Sequence, residues 1–366
     1  MTGLPKEWTL LSHRLLEIPL RAEDDRLLGR HRLRGALAIA HSVDQPVVVS
    51  WVRTRRRGAV QVFVGGVEAE PGSDEVAMGF PAGARGRASA TNITKGTLSG
   101  LHWEQMQSTL DAASAVEESS ADRLEELFAL TNAPLGIFVV ARPVAAAQVA
   151  ASMDVLSDEM ARLEALRSGR GVHRRKLARL EKDLEYLDRS QGLGCWELEV
   201  WTAGVDERGA RSAAARVAGL GDLAESPVML RPASADAAGQ HSWRDKVLVG
   251  PDAVAALARP PFRELPGVRV TRLPEFDQNI EDTIQIKLGS VLDGSRSPAA
   301  PFGVSMNSVN RHVFVCGATG AGKSETVRSL FLGPNQRSIP LMAIETANTG
   351  HLVLATLHTK DSVSAV

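Results

Sequence analysis

The sequence predicts an α/β protein whose C-terminal part is a nucleotide-binding core of parallel strands. Residues 317–324 match the phosphate-loop pattern G-x-x-x-x-G-K-[ST] at every fixed position. The apolar, β-branched and aromatic run 312–316 precedes this pattern and predicts a buried strand. Residues 324–332 follow it without glycine or proline and carry apolar side chains at helical spacing. A strand, a glycine-rich turn and a helix in this order form a phosphate-binding unit.

The glycines and the lysine of this loop explain why the pattern binds phosphate. The glycines allow successive backbone N–H groups to point at one anion, and a helix that starts near Lys323 adds the positive end of its dipole. Lys323 would contact the β- and γ-phosphates, and the Ser324 hydroxyl would hold Mg²⁺. Glu325 would interact favourably with the helix dipole. We therefore expect ATP and Mg²⁺ as cofactors, bound by Gly317, Ala318, Thr319, Gly320, Ala321, Gly322, Lys323, Ser324 and Glu325.

Composition limits the function classes without choosing one. The 366 residues include 42 basic and 43 acidic side chains, so any contact with DNA has to come from a local patch. The two cysteines, Cys195 and Cys316, exclude a disulfide framework, and Cys316 is expected to be a small buried thiol. The chain lacks a signal-peptide pattern and a long apolar run. We expect a cytoplasmic protein without a membrane span, which can still dock peripherally at a membrane complex.

Residues 1–130 are expected to form a mixed α/β domain. Apolar runs predict strands at 46–52 and 60–64, and residues 68–90 are rich in small residues typical of a loop. The basic segment 53–58 joins the two strands as a hairpin loop. It either contacts a phosphate backbone or is a solvated turn. A helix is also predicted near the end of this domain, at 121–130.

Residues 131–245 predict a second α/β domain with a long helical insertion at about 144–190. Strands are predicted at 134–141 and 194–201, and the helices between them would sit in a crossover connection. The insertion is expected to be an antiparallel hairpin that either packs on its domain or projects as a coiled-coil arm for a partner. Its two apolar seams are Met153, Leu156, Met160 and Leu163, and Leu177, Leu180, Leu184 and Leu187. Further predictions are a helix at 210–218, one at 252–257, a linker with strands at 246–287, and the nucleotide core at 288–366.

The last part of the chain resembles the HerA/FtsK superfamily, which includes conjugation and type IV secretion ATPases. The resemblance rests on residues 288–294 (LGSVLDG), 310–312 (NRH) and 317–324 (GATGAGKS). Residues 339–345 are similar to the second core strand of that group, so the resemblance covers about 288–346. It implies a hexameric ring motor that couples ATP hydrolysis to the movement of DNA or protein.

The tail resembles a different group. Residues 349–359 are similar to the histidine box of type II secretion and type IV pilus ATPases, in which His351 and His358 match the two histidines. These side chains would sense the γ-phosphate, or would lack their usual partners in a shortened core. Glu345 follows an apolar run and would serve with Lys323 in catalysis as a Walker B acid or base, or else as a structural residue at a strand end.

The core is expected to be incomplete, because the chain between Ser324 and Thr349 is too short for the acidic box and Walker B segment of secretion ATPases. Three functions stay open. The first is an ATP-dependent motor of the HerA/FtsK type. The second is a nucleotide-binding scaffold that does not hydrolyse ATP and belongs to a secretion or conjugation complex. The third is an ATPase of the type II secretion or type IV pilus kind.

Overall fold

A computed structural model of the chain divides into two compact units, unit 1 (Met1–Glu275) and unit 2 (Phe276–Val366). The structure describes residues 6–20, 26–66, 75–78, 84–89, 91–113, 124–165, 171–220, 226–233, 243–272, 281–292, 298–309, 314–316 and 320–332.

Unit 1 is built on one large sheet, which holds eleven strands in the described part of the chain. The spatial order is β4-β5-β1-β3-β2-β7-β8-β6-β9, with β10 paired to β8 and β11 paired to β1. The β1–β11 pair is parallel, and the other pairs described in this sheet are antiparallel. The strands are β1 Leu11–Leu20, β2 Val47–Arg53, β3 Gln61–Gly65, β4 Glu75–Met78, β5 Ala84–Ala88, β6 His102–Leu110, β7 Leu135–Val144, β8 Cys195–Gly204, β9 Val228–Pro232, β10 Val247–Val249 and β11 Arg269–Arg272.

Helices cover both faces of this sheet. A 3₁₀ helix spans Lys6–Leu10, and the α-helices of unit 1 are α1 Arg26–Ser42, α2 Thr91–Ser99, α3 Leu124–Leu130, α4 Ala146–Ala165, α5 Gly171–Gln191, α6 Glu207–Ala218 and α7 Pro251–Leu257. All seven residues of β2 are buried. Val49 and Trp51 belong to a core on one face, whereas Val48 and Val52 belong to a core on the other. A strand covered on both faces has a continuous apolar run, which is why residues 46–52 were recognisable in the sequence.

The strands and helices predicted for unit 1 are confirmed, with two exceptions. Residues 68–90, predicted as a loop, contain the paired strands β4 and β5. The strands β7 and β8 were expected to flank a crossover, but they pair antiparallel from Gly136 with Ala203 to Val144 with Cys195. Two antiparallel helices of similar length return the chain to the place where it left the sheet, so α4 and α5 extend a β-hairpin rather than form a crossover.

Strands from both sides of the predicted boundary at residue 130 belong to this sheet. Strand β2 pairs with β7 from Val47 with Ala141 to Arg53 with Leu135, so both predicted N-terminal domains contribute to one core. The functional division of the chain into domains stays a prediction.

The α4–α5 hairpin packs on unit 1 at its base. Val149 is the buried side chain of α4, whereas α5 buries the apolar side chains of Leu180 near its middle and of Leu187 near its C-terminal end. Along the hairpin the helices contact each other, for example where Lys176 Nζ lies 2.5 Å from Glu159 Oε1. No helix in the described ranges is both long enough and apolar enough to cross a membrane. The coiled-coil and partner-docking interpretations of the hairpin stay predictions.

Asp183 ties the base of α5 to the turn after β6. The Ala112 N–H donates to Asp183 Oδ1 at 2.7 Å, and Arg179 Nη2 donates to the Leu110 carbonyl at 2.7 Å. Burial raises the pKa of Asp183 to about 6, against the opposing effects of the Ala112 N–H and Arg179. The nearby Asp111 carboxylate raises it further.

This shift predicts a pH-dependent stability. A pKa raised in the folded state means that Asp183 stabilises unit 1 most below its ordinary pKa of 3.8 and that this contribution is lost as the pH rises through 6. The expected loss is about 2–3 kcal/mol between pH 4 and pH 7, and Asp183→Asn should remove it. Urea unfolding across this range measures it. Equal pH slopes for the wild type and the variant would contradict the assignment.

Unit 2 contains an antiparallel β-hairpin and two helices in the described part of the chain. The strands β12 Ile286–Leu292 and β13 Pro298–Val304 pair from Ile286 with Val304 to Leu292 with Pro298. Helix α8 spans Met306–Val309, and helix α9 spans Lys323–Leu332 and contacts β12. The parallel core expected from the sequence, and its incompleteness, stay predictions.

Two side chains of unit 2 accept hydrogen bonds from the backbone where β13 ends and α8 begins. The Ser305 N–H donates to Glu281 Oε2 at 2.8 Å, and the Met306 N–H donates to Gln285 Oε1 at 2.7 Å. Hydrogen bonds from Ser305 and Ser308 lower the pKa of Glu281. The Ser305 hydroxyl also accepts from the Ser308 N–H at 3.2 Å, which is the bond of a helix N-cap.

Candidate nucleotide site

The phosphate-loop pattern ends on the first turn of a helix, as the sequence predicted. Helix α9 begins at Lys323, so Lys323 and Ser324 lie on its first turn. The carbonyl of Gly322 accepts from the Thr326 N–H at 2.9 Å and from the Thr326 hydroxyl at 3.2 Å. The first backbone N–H groups of a helix have no carbonyl partner within that helix, so this end presents donors and a positive dipole.

Two glycines of the loop adopt a backbone conformation that other residues rarely accept. The φ angles are +81° at Gly320 and +84° at Gly322, both in the left-handed region. Apart from the chain neighbours, no heavy atom of the described residues lies within 4 Å of the position that a Cβ atom would occupy at either glycine. The described residues therefore leave the space beside these two glycines open, and the backbone turns there in the way that an anion cradle requires.

The polar side chains at this end of α9 differ in exposure. Lys323 is half-buried, whereas Ser324 and Glu325 are exposed. A cation, a hydroxyl and two left-handed glycines at a helix N-terminus fit the phosphates of a nucleotide and a bound Mg²⁺. Within the described ranges, no group of three or more His, Cys, Asp or Glu side chains is placed to hold a metal ion.

The strand predicted immediately before the loop is wrong in its described part. Residues 314–316 carry no strand hydrogen bonding, and Phe314 is 89% exposed. Cys316 is exposed as well, which corrects the expectation of a buried thiol. An apolar segment becomes a buried strand only when neighbouring strands pair with it. None of the strands that the structure describes pairs with residues 314–316.

Several predicted site residues lie outside the described residues. They are Gly317, Ala318 and Thr319 of the loop, the acid Glu345, and the two histidines His351 and His358. Their roles stay predictions. The structure therefore brings together Gly320, Ala321, Gly322, Lys323, Ser324 and Glu325.

One stretch of unit 2 matches a known protein family. Residues 286–337 match the family model of the central domain of helicase HerA. The matched range begins with β12 and includes the whole phosphate loop and α9. It supports a relation of this stretch to the HerA/FtsK-like P-loop ATPases, as the sequence motifs indicated. The match ends before the residues that resemble a histidine box, and no curated protein matches the chain significantly.

Proposed function

We propose that unit 2 is the ATP-binding domain of a HerA/FtsK-like motor protein. The observation that carries this proposal is the coincidence of the family match at 286–337 with the loop geometry. The matched stretch contains two left-handed glycines directly before a helix that begins at the motif lysine. This is the local structure that phosphate binding requires.

Different residues of the loop would contact different parts of the nucleotide. The backbone N–H groups of residues 317–322 would surround the phosphates, and Lys323 would neutralise the charge of the β- and γ-phosphates. The Ser324 hydroxyl would hold Mg²⁺. Bound ATP would supply a phosphoanhydride bond whose hydrolysis by water, to ADP and phosphate, releases free energy. Glu345 is the residue that we propose to orient or activate water, and His351 and His358 are proposed sensors of the γ-phosphate.

The proposed process is the movement of a polymer, DNA or protein, by an assembly of several copies of this chain. A hexamer is the assembly implied by the resemblance to HerA/FtsK motors. In such rings ATP binding changes the contacts between neighbouring subunits, and these changes perform mechanical work.

A second candidate function is a scaffold that binds ATP without hydrolysing it. The α4–α5 hairpin favours this alternative. Val149 is the one buried residue of α4, which contacts α5, so most of the surface of α4 is free to bind a partner. In this candidate the hairpin would be the arm that recruits a secretion or conjugation complex. Both candidates require the same nucleotide site, and they differ in turnover.

The test is to measure ATP binding and phosphate release side by side on the purified chain. Lys323→Ala is expected to weaken ATP binding about 30- to 100-fold, because it removes the cation that faces the phosphates. Lys287→Ala, which removes an exposed lysine of β12, is the matched control and should leave binding unchanged.

Turnover then separates the candidates. Phosphate release by the wild type that is lost in Lys323→Ala supports the motor, and binding without release supports the scaffold. An affinity unaffected by Lys323→Ala would refute the proposed site for both candidates.

A further inference from the structure

The turn between β2 and β3 carries a concentration of positive charge. Arg55, Arg56 and Arg57 are consecutive and exposed. Within the part of the chain that the structure describes, none of the three forms an ion pair. We call residues 55–57 the arginine turn. Because the whole chain has a net charge of −1, this turn is a local feature and does not follow from an overall basic composition.

A fourth arginine, Arg53, anchors the turn by hydrogen bonds to backbone carbonyls. Arg53 is only 5% exposed, and its Nε donates to the Gly58 carbonyl at 3.1 Å. Its two terminal nitrogens donate to the carbonyls of Thr131 and Phe128, at the end of α3. Burial lowers the pKa of Arg53, but three backbone carbonyls satisfy the guanidinium. The turn is thus fixed to the core by a side chain that takes no part in its exposed surface.

The backbone of the turn is held in an unfavourable conformation. Arg57 has a φ angle of +57°, in the left-handed region that is unfavourable for a residue with a Cβ atom. The Arg57 N–H donates to the Asn132 carbonyl at 2.9 Å, and the Gly58 N–H donates to the Arg55 carbonyl at 2.9 Å. Glycine or asparagine would fit this position with less strain. Because Arg57 adopts this unfavourable conformation, we expect its side chain to have a function.

We propose that the arginine turn binds the phosphodiester backbone of a nucleic acid. Guanidinium groups form bidentate hydrogen bonds with phosphates, and a rigid turn loses little conformational entropy when it binds. Arg216 extends the patch, because it is exposed and its Nη1 donates to Thr131 Oγ1 at 3.3 Å, beside the anchor of Arg53.

The composition of the turn favours a nucleic acid over a lipid surface. Residues 54–59 are Thr, Arg, Arg, Arg, Gly and Ala, and none of them is a large apolar side chain that would insert into a bilayer. The inference goes beyond the proposed function, which concerns the nucleotide site of unit 2. Contact of unit 1 with a phosphate backbone needs no nucleotide in unit 2.

The test is the binding of a short fluorescein-labelled DNA duplex of mixed sequence to the full chain without ATP. The double substitution R55Q/R56Q is expected to weaken binding about tenfold and to reduce the slope of log affinity against log salt by about 1–2. The matched control is R174Q/R175Q, which removes two consecutive exposed arginines of α5 and should leave both quantities unchanged. Circular dichroism and thermal unfolding verify that both variants fold.

Three outcomes would overturn the inference. Equal weakening in both double variants would mean that net charge rather than the turn matters. Weakening in R174Q/R175Q alone would place the nucleic acid on the hairpin. Binding of the wild type to phosphatidylserine vesicles but not to the duplex would make the turn a lipid site. Failure here is distinct from failure of the proposed function, because ATP binding is measured separately and Lys323→Ala should still bind the duplex.

Discussion

Replacing Glu125 by alanine is expected to lower the free energy of unfolding of unit 1 by about 3–5 kcal/mol. Glu125 lies on α3 and is 2% exposed, and its partner Arg259 is completely buried. Arg259 donates to both carboxylate oxygens, at 2.6 and 2.7 Å, and the Phe262 N–H donates to the same carboxylate at 2.7 Å. The carbonyl of Arg259 accepts from the indole N–H of Trp51 at 3.0 Å. The pair therefore joins α3, β2 and the segment after α7.

The size of this effect follows from what the substitution leaves behind. Burial opposes the ionisation of Glu125, but the charge and hydrogen bonds of Arg259, together with the Phe262 N–H, hold its pKa below the ordinary value. Alanine would leave the Arg259 guanidinium buried without its countercharge, and this costs more than the intact pair contributes.

The neighbouring residue provides the control. Glu126 on the same helix faces Arg263 at 3.4 Å, and both side chains are partly solvated, so Glu126→Ala should cost no more than about 1 kcal/mol. Replacing both charges, as in Glu125→Leu with Arg259→Met, should recover much of the loss. Urea unfolding followed by tryptophan fluorescence measures all three variants. A Glu125→Ala variant as stable as Glu126→Ala would disprove the role of the buried pair.

The second large effect is expected from Gly322→Val, which should reduce ATP affinity at least about 100-fold. Valine at φ +84° is strained, because its branched Cβ crowds the backbone, and the loop would have to turn differently. Its side chain would also enter the open space where we place a phosphate. Both effects act on the cradle and not on the core of unit 1.

Gly289→Val is the matched control for this substitution. Gly289 lies on β12 and is exposed, and no heavy atom of the described residues, apart from its chain neighbours, lies within 4 Å of its Cβ position. It lies outside the left-handed region, so valine is acceptable there. Titration with a fluorescent ATP analogue compares the two variants, and urea unfolding verifies that unit 1 is unchanged. Retained affinity in Gly322→Val would mean that the loop does not bind the phosphates.

The sequence predicted those parts of the fold that are encoded locally. Strand β2 is a run of β-branched and aromatic residues, and the start of α9 is marked by glycines followed by a polar first turn. The seams of α4 and α5 repeat at helical spacing. Each of these signals depends on residues close together in the chain.

The features that the sequence did not reveal depend on distant partners. Whether β7 and β8 run parallel or antiparallel is set by the return path of the hairpin, and this is absent from the pattern of either strand. The short strand β5 pairs with β1, which lies far back in the chain, as well as with its neighbour β4. Arg53 and Arg259 are buried because of carbonyls and a carboxylate far along the chain, whereas arginine is usually exposed.

Amide hydrogen exchange with and without Mg²⁺-ATP tests the central claim most directly, because it locates the nucleotide. The account predicts slower exchange in peptides that cover residues 317–326, with the effect lost in Lys323→Ala. Protection elsewhere with no change in these peptides, or no change anywhere at saturating ATP, would contradict an ATP site at the start of α9.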